Sequence, residues 1–213
     1  MPVLFAMPLY AQKKSKLFQP NDTTAWHVYT SKAGSHNDPQ QVFRFEGNEI
    51  HVSGEDMAYL ITEKGFSNFH LTLEFKWGEK KYPPRENAKR DAGILYHTII
   101  YNGDKIWPRS LEYQIQEGDC GDFWMTDSTT IMDHDTLTKP DKGAFRLVKM
   151  KDAEKPNGEW NKAEVIVKDG KITHLLNGEI VATARLGNTT TGNIVIQSEG
   201  AELYYRNIVV SEF

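Results

Sequence analysis

Glu112, Gln114 and Gln116 stand at two-residue spacing in the stretch Arg109–Trp124, RSLEYQIQEGDCGDFW. Successive side chains of a strand point to opposite faces. These three therefore share one face, and Leu111, Tyr113 and Ile115 share the other. A carboxylate and two carboxamides in a row span roughly 13 Å at about 3.3 Å per residue, the length of two sugar rings. Carboxylates and amides match a ring of hydroxyls. Trp124, just past the Gly-Asp turn, can cover an apolar sugar face.

Other groups join this face by the same parity. In RDAGILYH, with Ile94 and Tyr96 assigned to the core, Asp91, Gly93 and His97 face the cleft. Gly93 would let a ring approach the backbone closely. His97 is the first candidate base, because an imidazole titrates near neutrality. Towards the C-terminus Gln197 and Glu199 share a face opposite Ile194, Ile196 and Ser198, and could meet Glu112 across the cleft. Arg90 and Arg109 either pair with these acids or hold hydroxyl groups, and Trp107 is either a second stacking platform or core. Glu117 has the parity opposite to Glu112, and only a β-bulge near Ile115–Gln116 would bring it round. No cofactor is expected to be required. Glu117, Asp119, Asp122 and Asp127 do cluster around glycines, an oxygen-rich set that suits Ca²⁺.

The elements that must position these groups are strands. Phe69 to Trp77 alternates apolar and polar residues throughout, as a half-buried antiparallel strand does. QVFRFE and EIHVS flank Gly47-Asn48, a hairpin signal. AEVIVK, KITHLL and EIVATA are separated by Asp169-Gly170 and Asn177-Gly178, which predicts a three-stranded meander. Ser31–Gln40, Lys80–Arg90 and Thr126–Phe145 read as loops. No segment sustains a 3.6-residue period. About twelve short strands with regular turn signals predict an all-β sandwich of two antiparallel sheets, curved so that one face forms a cleft.

Composition narrows the function classes. The chain has 213 residues, 39% of them hydrophobic, enough for one globular domain with a substantial core. With 25 basic and 29 acidic residues and no basic block, a nucleic-acid partner is not expected. No apolar run approaches the roughly 20 residues that span a bilayer. The single cysteine, Cys120, excludes an internal disulfide or a thiolate-rich metal site. MPVLFAMPLYAQ resembles the back half of a secretory signal, with cleavage after Ala11. Residues 1–11 are thus expected to be a signal remnant or an N-terminal arm, with the domain over 12–213 and export to the periplasm or beyond.

LFQPNDTTAWHVY, RDAGILYH, LEYQIQEGDCGDFW and IQSEGAELYYRNI, in that order, resemble the 3-keto-disaccharide (3-keto-glycoside) hydrolase family from about Leu17 to Phe213. The resemblance implies a concanavalin A-like jelly roll, export, and cleavage of glycosides previously oxidised at C3. Two departures place carboxylates where the family commonly has other groups. Asp91-Ala92-Gly93 replaces Asn-Ser-Gly, and Glu199-Gly200 replaces His-Gly. Glu112-x-Gln114-x-x-Glu117 is also similar to the Glu-x-Asp-x-x-Glu signature of laminarinase-type glucanases on the same fold, but Gln114 cannot ionise.

A 3-keto group makes the C2 proton removable, and the resulting enolate expels the C1 leaving group before water adds back. His97 or Glu112 could be the base, Gln114 and Arg90 the donors to the C3 oxygen, and Glu199 or Glu117 the acid. Two other readings use the same face: a non-catalytic, lectin-like carbohydrate binder and an ordinary two-carboxylate glycosidase.

Overall fold

The computed structural model describes residues 13–17, 19, 22–100, 105–138 and 144–213. The stretch read as a signal remnant, residues 1–11, lies outside the described residues. Among them, eighteen strands and no helix form two sheets. In chain order the first nine are β1 (Lys13–Lys16), β2 (Trp26–Thr30), β3 (Gly34–Ser35), β4 (Phe43–Glu46), β5 (Glu49–Val52), β6 (Ala58–Phe66), β7 (Phe69–Lys81), β8 (Asp91–Ile99) and β9 (Arg109–Gln116). Then come β10 (Phe123–Thr126), β11 (Ile131–Asp133), β12 (Thr136–Leu137), β13 (Ala144–Leu147), β14 (Asn161–Lys168), β15 (Lys171–Leu176), β16 (Glu179–Leu186), β17 (Gly192–Ser198) and β18 (Ala201–Glu212). One sheet runs β12-β11-β16-β15-β14-β7-β18-β5-β4, with β1 on β18; the other runs β13-β10-β9-β8-β17-β6-β2-β3. Every pairing is antiparallel. This is the jelly-roll sandwich that the sequence predicts.

The β4–β5 hairpin and the β14–β16 meander fall at the predicted Gly-Asn, Asp-Gly and Asn-Gly turns. Strands β3, β11, β12 and β13 lie largely in segments read as loops. Each is two to four residues long and pairs near a sheet margin, too short for alternation to register.

Between the sheets, Phe69, Leu71, Leu73, Phe75 and Trp77 of β7 are buried, as are Ile94, Tyr96, Leu111, Tyr113 and Ile115 of β8 and β9. Each such apolar side chain contributes about 1.5–3 kcal/mol by leaving water. One polar group is tied into this layer. His174 donates from Nδ1 to the Gly121 carbonyl (2.9 Å) and accepts from the Tyr96 hydroxyl at Nε2 (2.9 Å). Burial pushes its pKa down to about 3, so the ring is neutral and can accept that bond. The turn between β9 and β10 is thereby pinned to the core, which fixes the strand that carries Trp124.

Candidate active site

The face of β9 turned away from the core carries Glu112, Gln114 and Gln116, as parity predicts. Together they floor a cleft of about 620 Å³. Cross-strand pairing sets what surrounds them. Trp124 lies opposite Glu112 on β10, and Gly93 and Asp91 of β8 lie opposite Gln114 and Gln116. The cleft runs along β9 from Gln116 towards the segment before Arg109, seven residues or roughly 23 Å at about 3.3 Å per residue. At one end Asp91, Glu199 and Arg85 join Gln114 and Gln116; at the other stand Lys105, Trp107, Thr126 and Asp127. Glu112 and Trp124 mark the boundary.

Gly93 makes the polar end possible. A Cβ there would collide with the Glu112 carboxylate and with the Gln197 carboxamide, so the absent side chain is the space both occupy. Gln197 is 1% exposed. Neither of its amide atoms, nor Gln114 Oε1, has a hydrogen-bond partner among the described residues. A buried amide without partners costs about 1–3 kcal/mol; Gln114 lines the cleft, where a ligand can supply the partner, whereas Gln197 is buried and does not line it.

The electrostatics separate the carboxyls. Asp91 is ion-paired with Arg85 and accepts from Gln116 Nε2 (2.7 Å) and Gln114 Nε2 (3.2 Å). Burial raises its pKa to about 6 against the pull of Arg85. Burial, then the Asp91 charge, lifts Glu112 to about 8. Burial and the two neighbouring acids hold Glu199 well above the usual carboxylate range, with Arg85 Nη2 at 3.7 Å opposing. Three buried carboxyls therefore cluster beside a single guanidinium, which reaches two of them, Asp91 and Glu199. At neutral pH Asp91 is mostly ionised while Glu112 is mostly protonated, and the surroundings of Glu199 favour its protonated form, so the cluster can both accept and donate a proton.

Four predicted residues lie elsewhere. His97 does not face the cleft: its φ is +48° and the β8–β9 register shifts between Tyr96 and Ile99. The extra residue turns the ring inward, against Phe69 and Tyr96, with Nε2 3.1 Å from the Ser67 carbonyl. Burial lowers its pKa. Glu117 stays off the cleft because β8 and β9 pair without a bulge at Ile115–Gln116. It is bound instead to Arg90, Nη1 to Oε1 at 2.6 Å and backbone N to Oε2 at 2.9 Å, so Arg90 is outside the cleft as well. Arg109 reaches the Asn188 carbonyl (3.3 Å) rather than the ligand space.

The acids proposed for Ca²⁺ do not fit it. Asp119 binds Lys89 and Arg146, Asp122 binds Arg146, and Asp127 lies 3.7 Å from Lys105. Among the described residues no three His, Cys, Asp or Glu side chains converge on one metal position.

A first test follows from the inward turn of His97. His97→Asn keeps a residue type that tolerates positive φ but loses the buried ring. It should cost about 1–3 kcal/mol in urea unfolding and leave turnover within a few-fold of wild type. Loss of turnover with stability intact would return the imidazole to the chemistry.

Arg85, Lys105 and Thr126 were not singled out from sequence. Arg85 lies in the charged Lys80–Arg90 segment, and only a count of the acids on one face, which need a cation, points to it.

A family model described as the 3-keto-alpha-glucoside-1,2-lyase-like domain matches residues 13–211. No curated protein matches the chain in sequence. Among solved structures, a candidate glycosyl hydrolase from Parabacteroides distasonis is similar with TM-score 0.66 and 21% identity, covering 94% of each chain. LamAcat from Zobellia galactanivorans gives TM-score 0.58 and 11% identity over 94% of this chain and 96% of its own. The carbohydrate-binding module CBM66 from Bacillus subtilis gives 0.56 and 10% over 87% and 94%. At these identities the structural likeness speaks for the fold.

Proposed function

The chain belongs to the family of 3-keto-alpha-glucoside-1,2-lyase-like domains, and from that premise we propose that it cleaves glycosides already oxidised at C3. The observation that carries this reading is the buried cluster of Asp91, Glu112 and Glu199, with Arg85 paired to Asp91 and close to Glu199, in the space that Gly93 leaves to the Glu112 and Gln197 side chains. Asp91, held ionised by Arg85, removes the C2 proton. The electron pair moves into a C2–C3 enolate whose oxygen is stabilised by the carboxyl of Glu199, which its surroundings bias towards the protonated form, as donors aimed at developing charge are. The enolate then collapses. A C1–C2 double bond forms, the C1–O bond breaks, and Glu112 gives its proton to the leaving oxygen. Addition of water across that double bond completes a net hydrolysis. Export, expected from the apolar opening stretch, is part of the same proposal.

Gln114 supports elimination over the two-carboxylate route, since it places an amide where the glucanase signature has an acid. The test compares a 3-keto-glucoside with its unoxidised parent, both carrying the same leaving group. Release from the 3-keto compound alone is the expected result. Equal release from both would instead indicate an ordinary glycosidase. Reversible binding with no release from either would indicate a carbohydrate-binding domain.

A further inference from the structure

We propose that Gln197 is a positioning residue for Glu112. Its carboxamide stands behind the acid and accepts a hydrogen bond from the carboxyl while the proton is present. It turns to donate once that proton has passed to the leaving oxygen. The proposal rests on the 3-keto-glycoside reading for where the proton goes, but not for the pairing of the two side chains.

The pairing follows from Gly93. A Cβ on that residue would collide with both Glu112 Oε1 and Gln197 Oε1. The two oxygens, one from β9 and one from β17, therefore crowd the space of a single missing methyl group. Gln197 is buried, and neither Oε1 nor Nε2 of its amide has a hydrogen-bond partner among the described residues. Oxygen against oxygen is repulsive unless a proton lies between them, and of the two only Glu112 can carry one. A protonated carboxyl donates through its O–H and an amide oxygen accepts. The neutral form of Glu112 thus satisfies the orphaned amide oxygen, and that bond holds the carboxyl in one orientation.

The other groups around Glu112 are poorly suited to this. Asp91 of β8 and Glu199, in the turn before β18, are acids whose charges oppose its own. Arg85 is paired with Asp91 and lies 3.7 Å from Glu199. Trp124, opposite on β10, carries no charge. On the core side Tyr96 and Tyr205 feel the Glu112 charge, but the Tyr96 hydroxyl already donates to His174.

Once Glu112 has given up its proton, a carboxylate is left in a buried place and needs a donor. A half-turn of the Gln197 amide brings Nε2 to where Oε1 stood, because the two ends of the group have nearly the same shape and opposite hydrogen-bonding character. A bond to a charged acceptor is about twice as strong as one to a neutral partner. The amide therefore favours the ionised form of Glu112 more than the protonated one, and eases the departure of the proton.

Carboxyl-carbon NMR of Glu112 across pH, in the full chain without substrate, tests this in wild type and in Gln197→Met. Methionine keeps the length and unbranched shape of glutamine but has no amide. The Glu112 midpoint should rise by about one pH unit, a tenfold change in its proton equilibrium. With a 3-keto-glucoside, kcat of Gln197→Met should fall about tenfold while KM stays nearly unchanged, since the side chain does not touch substrate. Wild type alone gives a second reading that needs no variant. One Nε2 proton of Gln197 should move downfield as Glu112 ionises, as a proton newly bonded to a carboxylate does. A Glu112 midpoint unchanged or lowered in Gln197→Met, or a wild-type amide proton that does not move downfield, overturns the pairing whatever the activity. A raised midpoint with kcat unchanged overturns the positioning role. A raised midpoint with no cleavage of the 3-keto-glucoside by wild type upholds the pairing and overturns the 3-keto chemistry instead.

Discussion

Replacing Glu112 by Gln should lower kcat by about 10²–10⁴-fold, the range for losing a positioned acid or base, and should stabilise the domain at alkaline pH. Both effects come from the same proton. The Glu112 carboxyl is buried beside Asp91, and its pKa stands at about 8 instead of the ordinary 4.5. The folded protein holds a proton that the unfolded chain releases. The associated stability is fully present below the unfolded value and is lost as pH rises from about 4.5 to about 8. Glutamine has no proton to lose, so the variant escapes that loss. Thermal melts should therefore place the variant's Tm higher relative to wild type at pH 9 than at pH 5. An inactive variant with the same Tm difference at both pH values would mean that Glu112 does not titrate as its surroundings imply.

Arg85→Gln should move the acid limb of the kcat/KM profile upward by about one pH unit or more and lower its maximum by about 10–100-fold. Asp91 ionises near 6 because the Arg85 charge, first among several lowering influences, opposes its burial, and Arg85 also approaches Glu199. In wild type a base at about 6 and an acid at about 8 give a bell centred near neutrality. Without the guanidinium, Asp91 stays protonated to higher pH and the two limbs converge. The pH profile of the purified variant checks this. An acid limb left in place would show that Asp91 is not the group whose ionisation matters.

The sheets and much of this site were legible in the sequence because side-chain alternation is a local property of an extended backbone. Glu112, Gln114 and Gln116 follow it along the whole of β9, and Asp91 and Gly93 follow it at the start of β8. Parity also brought Gln197 and Glu199 to the same face. It failed at His97, where the register shift against β9 inserts an extra residue, and no residue type in RDAGILYH marks that shift. Arg90 was read as pairing with an acid or holding a hydroxyl, and Glu117 as reaching the cleft only through a bulge; the fold keeps β9 regular there and pairs the two with one another. Arg85 was missed because its position depends on how a loop closes over the strands, which spacing along the chain does not encode. The Tyr82–Gly200 backbone bond (2.8 Å) places that loop on the turn next to Glu199.

The central claim is that bond cleavage proceeds by removal of the C2 proton, and turnover of a 3-keto-glucoside in D₂O tests it most directly. The sugar product should carry deuterium at C2 beyond any exchange seen when product alone is incubated with the enzyme. Release of the leaving group with protium retained at C2 would contradict elimination.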